Sequence, residues 1–283
     1  MEIIRQLDLR PLIRSALAED LGQGDITTAA TVPSGQAGRA RIIVKEAGEI
    51  VFCGGFVFQQ VFALTGSEPR IVSLAHEGTT LRPQAIAAEI GGGLAGLLTG
   101  ERVALNFVQL MSGIATMTRR YVDAIAGYRA RIIDTRKTHP GLRALEKYAV
   151  RCGGGANHRF GLDSGVLIKE NHIAAAGGLR PALERARALA PHTFRVEIEC
   201  ETLAQVETAL AAGADSILLD NMTLEQMRQA RTIVGDSVML EASGGITLES
   251  VRAVAETGVD LISVGAVTHS VNAADLSMRI DIV

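Results

Sequence analysis

The chain has 283 residues, 47% of them apolar and 21% charged, the balance of a soluble globular protein large enough for one large domain or two modest ones. A net charge of −3 gives no global attraction for nucleic acid or an anionic membrane, so any anion-binding surface has to be a local concentration of positive charge. The three cysteines, Cys53, Cys152 and Cys200, are widely spaced and form no CxxC pair, which reads as buried free thiols in a reducing compartment.

The N-terminus carries Arg5, Asp8, Arg10 and Arg14 and has no secretory apolar core, so a cytoplasmic location is expected. Asp8 is placed to cap a first helix with Leu9, Leu12, Ile13, Ala16 and Leu17 on one face, ending near Gly22. From Arg39 to Leu81, β-branched residues and glycine dominate. Alternation at 41–45 and 70–74 predicts a sheet with one solvated face. Within that stretch, Ile50 to Ser67 carries no charge over 18 residues, but Gly54-Gly55 and Gln59-Gln60 fit a buried strand, turn and helix rather than a membrane span. Gly91-Gly92-Gly93 reads as a break, and Leu94 to Ala126 as a long helix with a tolerated break at Gly113.

From Ile132 to about residue 270, short apolar runs alternate with helical stretches. Six of these runs end in polar, mostly charged residues: 131–137, 166–171, 194–199, 216–221, 238–245 and 261–266. Runs of this kind are buried parallel strands. The expected class is α/β: an N-terminal α+β domain over 1–105, then an α/β barrel over 106–270, with the tail 271–283 free to pack back on the first domain. Six strands are fewer than the usual eight, so the barrel is expected to be open or incomplete.

Ligand sites of parallel barrels lie at the C-terminal strand ends. The polar residues there should converge, with cations Arg136, Lys137 and Lys169 and carboxylates Glu199, Asp220 and Glu241. This is the arrangement for an anionic, phosphate-bearing substrate. Thr135-Arg136-Lys137 offers a planar guanidinium fork beside a compact point charge. Gly153-Gly154-Gly155 lets backbone N–H groups approach an anion and leads into His158-Arg159. Glu197 and Glu199 alternate on a strand and share a face. Glu199 and Asp220 suit ribose hydroxyls or a Mg²⁺ ion carrying phosphates, and equally an ion pair with Lys137 or Lys169. Ser243-Gly244-Gly245 and Gly265-Ala266 end the last two strands, where many barrels build a phosphate cup. The six histidines show no HExxH-type spacing, so no tightly bound zinc is expected. No GxSxG elbow or activated cysteine supports covalent catalysis.

These motifs, in this order, resemble the quinolinate phosphoribosyltransferase family over nearly the whole chain. The residues that carry the resemblance are 19–28, 101–107, Asp134-Thr135-Arg136-Lys137-Thr138, Lys147-Tyr148-Ala149-Val150-Arg151, His158-Arg159, Leu167 to His172, Leu219-Asp220-Asn221 and Glu241 to Ile246. The resemblance implies an N-terminal open sandwich before an incomplete α/β barrel of the type II phosphoribosyltransferase kind, working as a homodimer or higher oligomer. It implies a glycosyltransferase of NAD biosynthesis, in which quinolinate and phosphoribosyl pyrophosphate (PRPP), with Mg²⁺, give nicotinate mononucleotide, pyrophosphate and carbon dioxide. By position, Arg102, Arg136, His158, Arg159 and Lys169 resemble the quinolinate pocket, with Arg102 supplied by the partner subunit, and Thr135 is a further substrate-binding position. Lys137, Glu199 and Asp220 resemble the PRPP and metal side, and Lys137, Lys169, Glu199 and Asp220 the catalytic set. Ser243, Gly244, Gly245, Gly265 and Ala266 resemble the 5′-phosphate cup. His139 and the turn 77–83 depart from the family pattern without touching these positions. A paralogue found with molybdate transport genes and a general phosphate-binding barrel account less well for the complete cationic set.

Overall fold

The computed structural model describes residues 8–283, so Arg5 lies outside the described residues. The chain divides into two compact units. One runs to Arg119 and includes His139–Gly154 and Ser270–Val283. The other comprises Arg120–Thr138 and Gly155–His269. The expected boundary at residue 105 therefore falls inside the first unit, which also takes one helix from the middle of the expected barrel.

In the first unit, α1 (Arg10–Leu21) buries Ile13 and Leu17. The carboxylate of Asp8 accepts the Arg10 N–H at 3.1 Å, although Leu9 is the capping position. Asp25 caps α2 (Ile26–Thr31) by accepting the Thr28 N–H at 2.9 Å. The uncharged stretch forms β2 (Ile50–Val51), a turn, and α3 (Phe56–Leu64), which buries Val57, Phe58, Val61 and Phe62. A small two-stranded sheet pairs β2 with β4 (Thr80–Leu81).

The main sheet of this unit has the order β12-β1-β5-β3. Its strands are β1 (Ala37–Val44), β3 (Arg70–Leu74), β5 (Ile86–Gly93) and β12 (Leu276–Ile282). Alternation holds on β1, where Ala40, Ile42 and Val44 are buried, because one face meets the core. It fails on β3, the edge strand, where every residue is exposed, Val72 among them. The tail supplies β12, antiparallel to β1 from Leu276 to Ile282.

The glycine run 91–93 does not break the pattern. It ends β5 and passes straight into α4 (Leu94–Ala124). A Cβ at Gly92 would stand 2.8 Å from the Ser67 carbonyl, and Gly93 donates its N–H to that same carbonyl at 2.7 Å. The glycines are there because a turn lies against the strand. Gly113 likewise leaves α4 unbroken: its open face lies against the backbone of Asn272 and Ala273, and Ala274 donates to the Gln109 carbonyl at 2.9 Å. No helix of the described residues is long and apolar enough to cross a membrane.

The second unit holds six parallel strands in the order β6-β11-β10-β9-β8-β7. They are β6 (Arg131–Ile133), β7 (Val166–Ile168), β8 (Val196–Cys200), β9 (Ser216–Asp220), β10 (Met239–Ser243) and β11 (Leu261–Ser263). Helices α6 (Glu170–Ala176), α7 (Leu179–Leu189), α8 (Leu203–Ala211), α9 (Leu224–Val234) and α10 (Val251–Ala255) return the chain between them, and α5 (Arg143–Cys152) lies in the first unit. β6 and β7 are the two edges and do not pair, so the barrel is incomplete. Ala156 bridges to Ile133 along the β6 edge. The strands are shorter than the sequence runs. Lys169 caps α6, and Glu170-Asn171-His172 form its first turn.

Candidate active site

The strands of the second unit bring polar residues to the ends where the chain leaves the sheet. Thirteen of the fourteen expected site residues line a single cavity of about 700 Å³ there. Thr135, Arg136 and Lys137 come from the loop after β6, His158 and Arg159 from the segment beside it, and Lys169 from the end of β7. Glu199 and Asp220 come from β8 and β9. Ser243 ends β10 and Gly244 and Gly245 follow it, while Gly265 follows β11 and Ala266 opens the short helix Ala266–His269. The fourteenth, Arg102, stands in the first unit, exposed on α4. It lines a separate groove with Asp20, Asp25, Thr99 and Glu101.

Lys169 Nζ lies 3.2 Å from Glu199 Oε2, so the ion pair allowed by the sequence is present within the cavity wall. Lys137 is held by its backbone: its N–H donates to Thr135 Oγ1 at 3.0 Å and its carbonyl accepts the Thr268 hydroxyl at 2.7 Å. The loop that carries Lys137 is thereby fixed on both sides. Arg159 donates Nη1–H to the Gly165 carbonyl at 2.9 Å, while its Nε is buried with no partner. Burial first, and then the neighbouring charge of Arg136, lower its pKa from the usual value. A buried guanidinium donor without an acceptor is a group made for an anionic ligand.

The cup region depends on backbone that L-residues seldom adopt. Gly244 has φ +98°, and a Cβ on it would run into the Asn221 side chain. Asn221, itself at φ 53°, donates Nδ2–H to Asp220 Oδ2 at 2.8 Å and its backbone N–H to the Ser243 carbonyl at 3.0 Å. A Cβ at Gly265 would stand 2.9 Å from His269 Nε2 and 3.4 Å from Lys137 Cδ. Glycine at both places lets the turns close around a small volume.

One expectation needs correction. The run Gly153–Gly155 is not an anion cradle. Gly153 and Gly154 donate their N–H groups to the Ala149 and Arg151 carbonyls at the end of α5, and Gly153 packs on Ala115 and Thr118 of α4. None of the three glycines lines the cavity. Glu197 shares a strand face with Glu199 but lies deeper. It faces His158 and Ser216.

Sequence reasoning passed over Asp134 as a residue in its own right. It is fully buried at the end of β6 and binds the segment that runs along that edge. Asn157 Nδ2–H donates to Oδ2 at 2.6 Å and the His158 N–H to Oδ1 at 2.8 Å. An aspartate between an apolar run and a basic loop was the available signal. His139, a departure from the family pattern, pairs with the buried Glu146 in the first unit. All three cysteines are buried and free, and burial, with Glu199 beside it, pushes the Cys200 thiol up to about 12, so it is no nucleophile.

The family models decide where such a cavity belongs. The quinolinate phosphoribosyl transferase N-terminal domain matches residues 25–112 and the C-terminal domain matches residues 114–279. The chain belongs to the quinolinate phosphoribosyl transferase family. It is 44% identical over 277 residues to a probable nicotinate-nucleotide pyrophosphorylase (carboxylating) of Bacillus subtilis, covering 98% of this chain and 95% of that protein. It is 46% identical over 275 residues to the nicotinate-nucleotide pyrophosphorylase (carboxylating) of Mycobacterium leprae, covering 95% and 96%. The solved structure of the nicotinate-nucleotide pyrophosphorylase from Francisella tularensis superimposes with a TM-score of 0.91 at 40% identity, covering 96% of each chain. The two domain models meet near residue 113, inside α4, whereas the first compact unit runs to Arg119 and also takes His139–Gly154 and Ser270–Val283.

Proposed function

We propose that this protein transfers the phosphoribosyl group of PRPP to quinolinate and decarboxylates the product, giving nicotinate mononucleotide, pyrophosphate and carbon dioxide. The observation that carries this reading is one cavity holding Arg136, Lys137, Arg159 and Lys169 together with the glycine cup, with a guanidinium donor of Arg159 buried and unmatched. That is more positive charge than a monocarboxylate needs beside a phosphate. Arg136, Arg159 and Lys169 bind the two ring carboxylates and turn the ring nitrogen towards the ribose carbon. Ser243, Gly244, Gly245, Gly265 and Ala266 hold the 5′-phosphate, and Lys137 lies on the pyrophosphate side.

Attack by the ring nitrogen breaks the bond to pyrophosphate through a cation-like sugar. Glu199 and Asp220 stand where their negative charge favours that cation. Loss of the carboxylate next to the nitrogen follows: carbon dioxide leaves, the adjacent positive nitrogen stabilises the electron pair left on carbon, and a proton from solvent completes the C–H bond of the product. Mg²⁺ fits as an ion carried in on PRPP: Glu199 and Asp220 offer hard oxygen donors on one wall, too few for a cage and enough to complete a phosphate-bound ion. When bound, it would neutralise charge on the departing pyrophosphate. We further propose a homodimer in which Arg102 of one subunit completes the quinolinate pocket of the other.

The test is substrate choice. Nicotinate lacks the carboxylate beside the nitrogen and would leave a buried cation unpaired, which costs on the order of 1–3 kcal/mol or more. Quinolinate should be turned over with PRPP and nicotinate should not. Comparable kcat/KM for the two acids would refute the reading.

A further inference from the structure

We infer that Glu197, buried beneath the cavity with Glu241 behind it, is a positioning residue that holds His158 and, through His158, Arg159 in the orientation that receives a substrate carboxylate. The inference rests on the proposed use of quinolinate as the acceptor.

The geometry runs from the barrel floor upward. Glu197 sits on β8 and accepts the Ser216 hydroxyl on Oε1 at 2.8 Å. Its Oε2 lies 3.1 Å from His158 Nε2. On the other side of the ring, the backbone N–H of Arg159 donates to His158 Nδ1 at 2.7 Å. A ring nitrogen that accepts an N–H carries no proton of its own, so the imidazole proton is on Nε2 and points at Glu197. The His158 N–H is tied to Asp134. His158 therefore spends both ring nitrogens inside the protein. It acts as a strut for this segment while standing in the cavity wall.

The strut leads directly to Arg159. One arm of its guanidinium is fixed on the Gly165 carbonyl and its Nε is buried and unmatched. A shift of the His158 ring would move the Arg159 backbone N–H with it. Glu241, 1% exposed, brings its Oε2 to 3.7 Å from His158 Nε2. Burial, and then the charge of Glu197, push the Glu241 carboxyl well above the usual range. His158, Glu197 and Glu241 are close enough together to suggest a metal site. The tautomer argues otherwise, because Nε2 offers a proton rather than a lone pair.

Two measurements on the full chain test this. In the wild-type protein, ¹⁵N NMR of the His158 ring at pH 7.5 should show a protonated Nε2 and an unprotonated Nδ1. The opposite tautomer or an imidazolium would overturn the proposal whatever the kinetics. In steady-state kinetics, Glu197→Met removes the acceptor at similar volume. It should raise the KM for quinolinate at least tenfold, with the KM for PRPP changed less than twofold. Glu197→Gln returns an acceptor, since its amide oxygen can face His158 while its nitrogen donates to the Ser216 hydroxyl. It should recover the quinolinate KM to within about threefold of wild type. An equal rise in both KM values for Glu197→Met, or no recovery in Glu197→Gln, would reduce Glu197 to a structural role. If the wild type turns over no quinolinate, the functional reading fails instead, and the tautomer still decides the network.

Discussion

Lys137 and Lys169 differ from ordinary surface lysines in what holds them. The main chain of Lys137 is tied to Thr135 and Thr268, and Lys169 points its ammonium at Glu199 from the end of β7. Neither side chain supports the core. The first turn of α6 is secured by the backbone N–H of residue 169, which donates to His172 Nδ1 at 3.0 Å and survives truncation. Lys137→Ala and Lys169→Ala should each lower kcat/KM by about a hundredfold or more, the magnitude for removing a preorganised charge, with a melting temperature close to wild type. Unchanged kcat/KM in either variant removes that lysine from the mechanism. Charged residues at strand ends were legible in the sequence because a strand's polar terminus in a parallel barrel has one destination. The partners of Asp134 and Glu197 were not, since both residues bind a segment, 156–158, whose path along the β6 edge no local pattern encodes.

At the level of elements, the six apolar runs gave strands within a few residues, because burial on both faces demands continuous Val, Ile and Leu. Glycine was the less readable residue. At 92 and 153 it marks close approach of another segment, a tertiary fact, and at 154 and 244 it marks a positive φ. Gly244 offers the sharpest test. A methyl group there would push Asn221 aside and with it the hydrogen bond that orients Asp220, while the φ of +98° adds strain of about 1–3 kcal/mol. Gly244→Ala should raise the KM for PRPP at least about tenfold, by 1.4 kcal/mol or more, and leave equilibrium binding of quinolinate within about twofold. Equal weakening of both ligands would show that the turn supports the barrel as a whole rather than a phosphate.

For the whole molecule, the division into units places Arg102 and the cavity in different parts of the chain, and the family resemblance is what assigns this arginine to a partner's site. Isologous pairing makes two equivalent composite sites. Arg102→Ala and Lys137→Ala should each be inactive alone. When the two are mixed under conditions of subunit exchange, about half of the dimers are mixed and each has one intact site, so about a quarter of all sites regain function. No recovery, with exchange confirmed independently, would put Arg102 outside a shared site. The central claim, transfer coupled to decarboxylation, is tested most directly by supplying quinolinate labelled with ¹⁴C in the carboxylate next to the nitrogen, together with PRPP and Mg²⁺. Labelled carbon dioxide and pyrophosphate are each counted against nicotinate mononucleotide. The account predicts one of each per nucleotide formed, and no release of carbon dioxide without PRPP. Nucleotide formed with the label retained, or carbon dioxide released without PRPP, would contradict it.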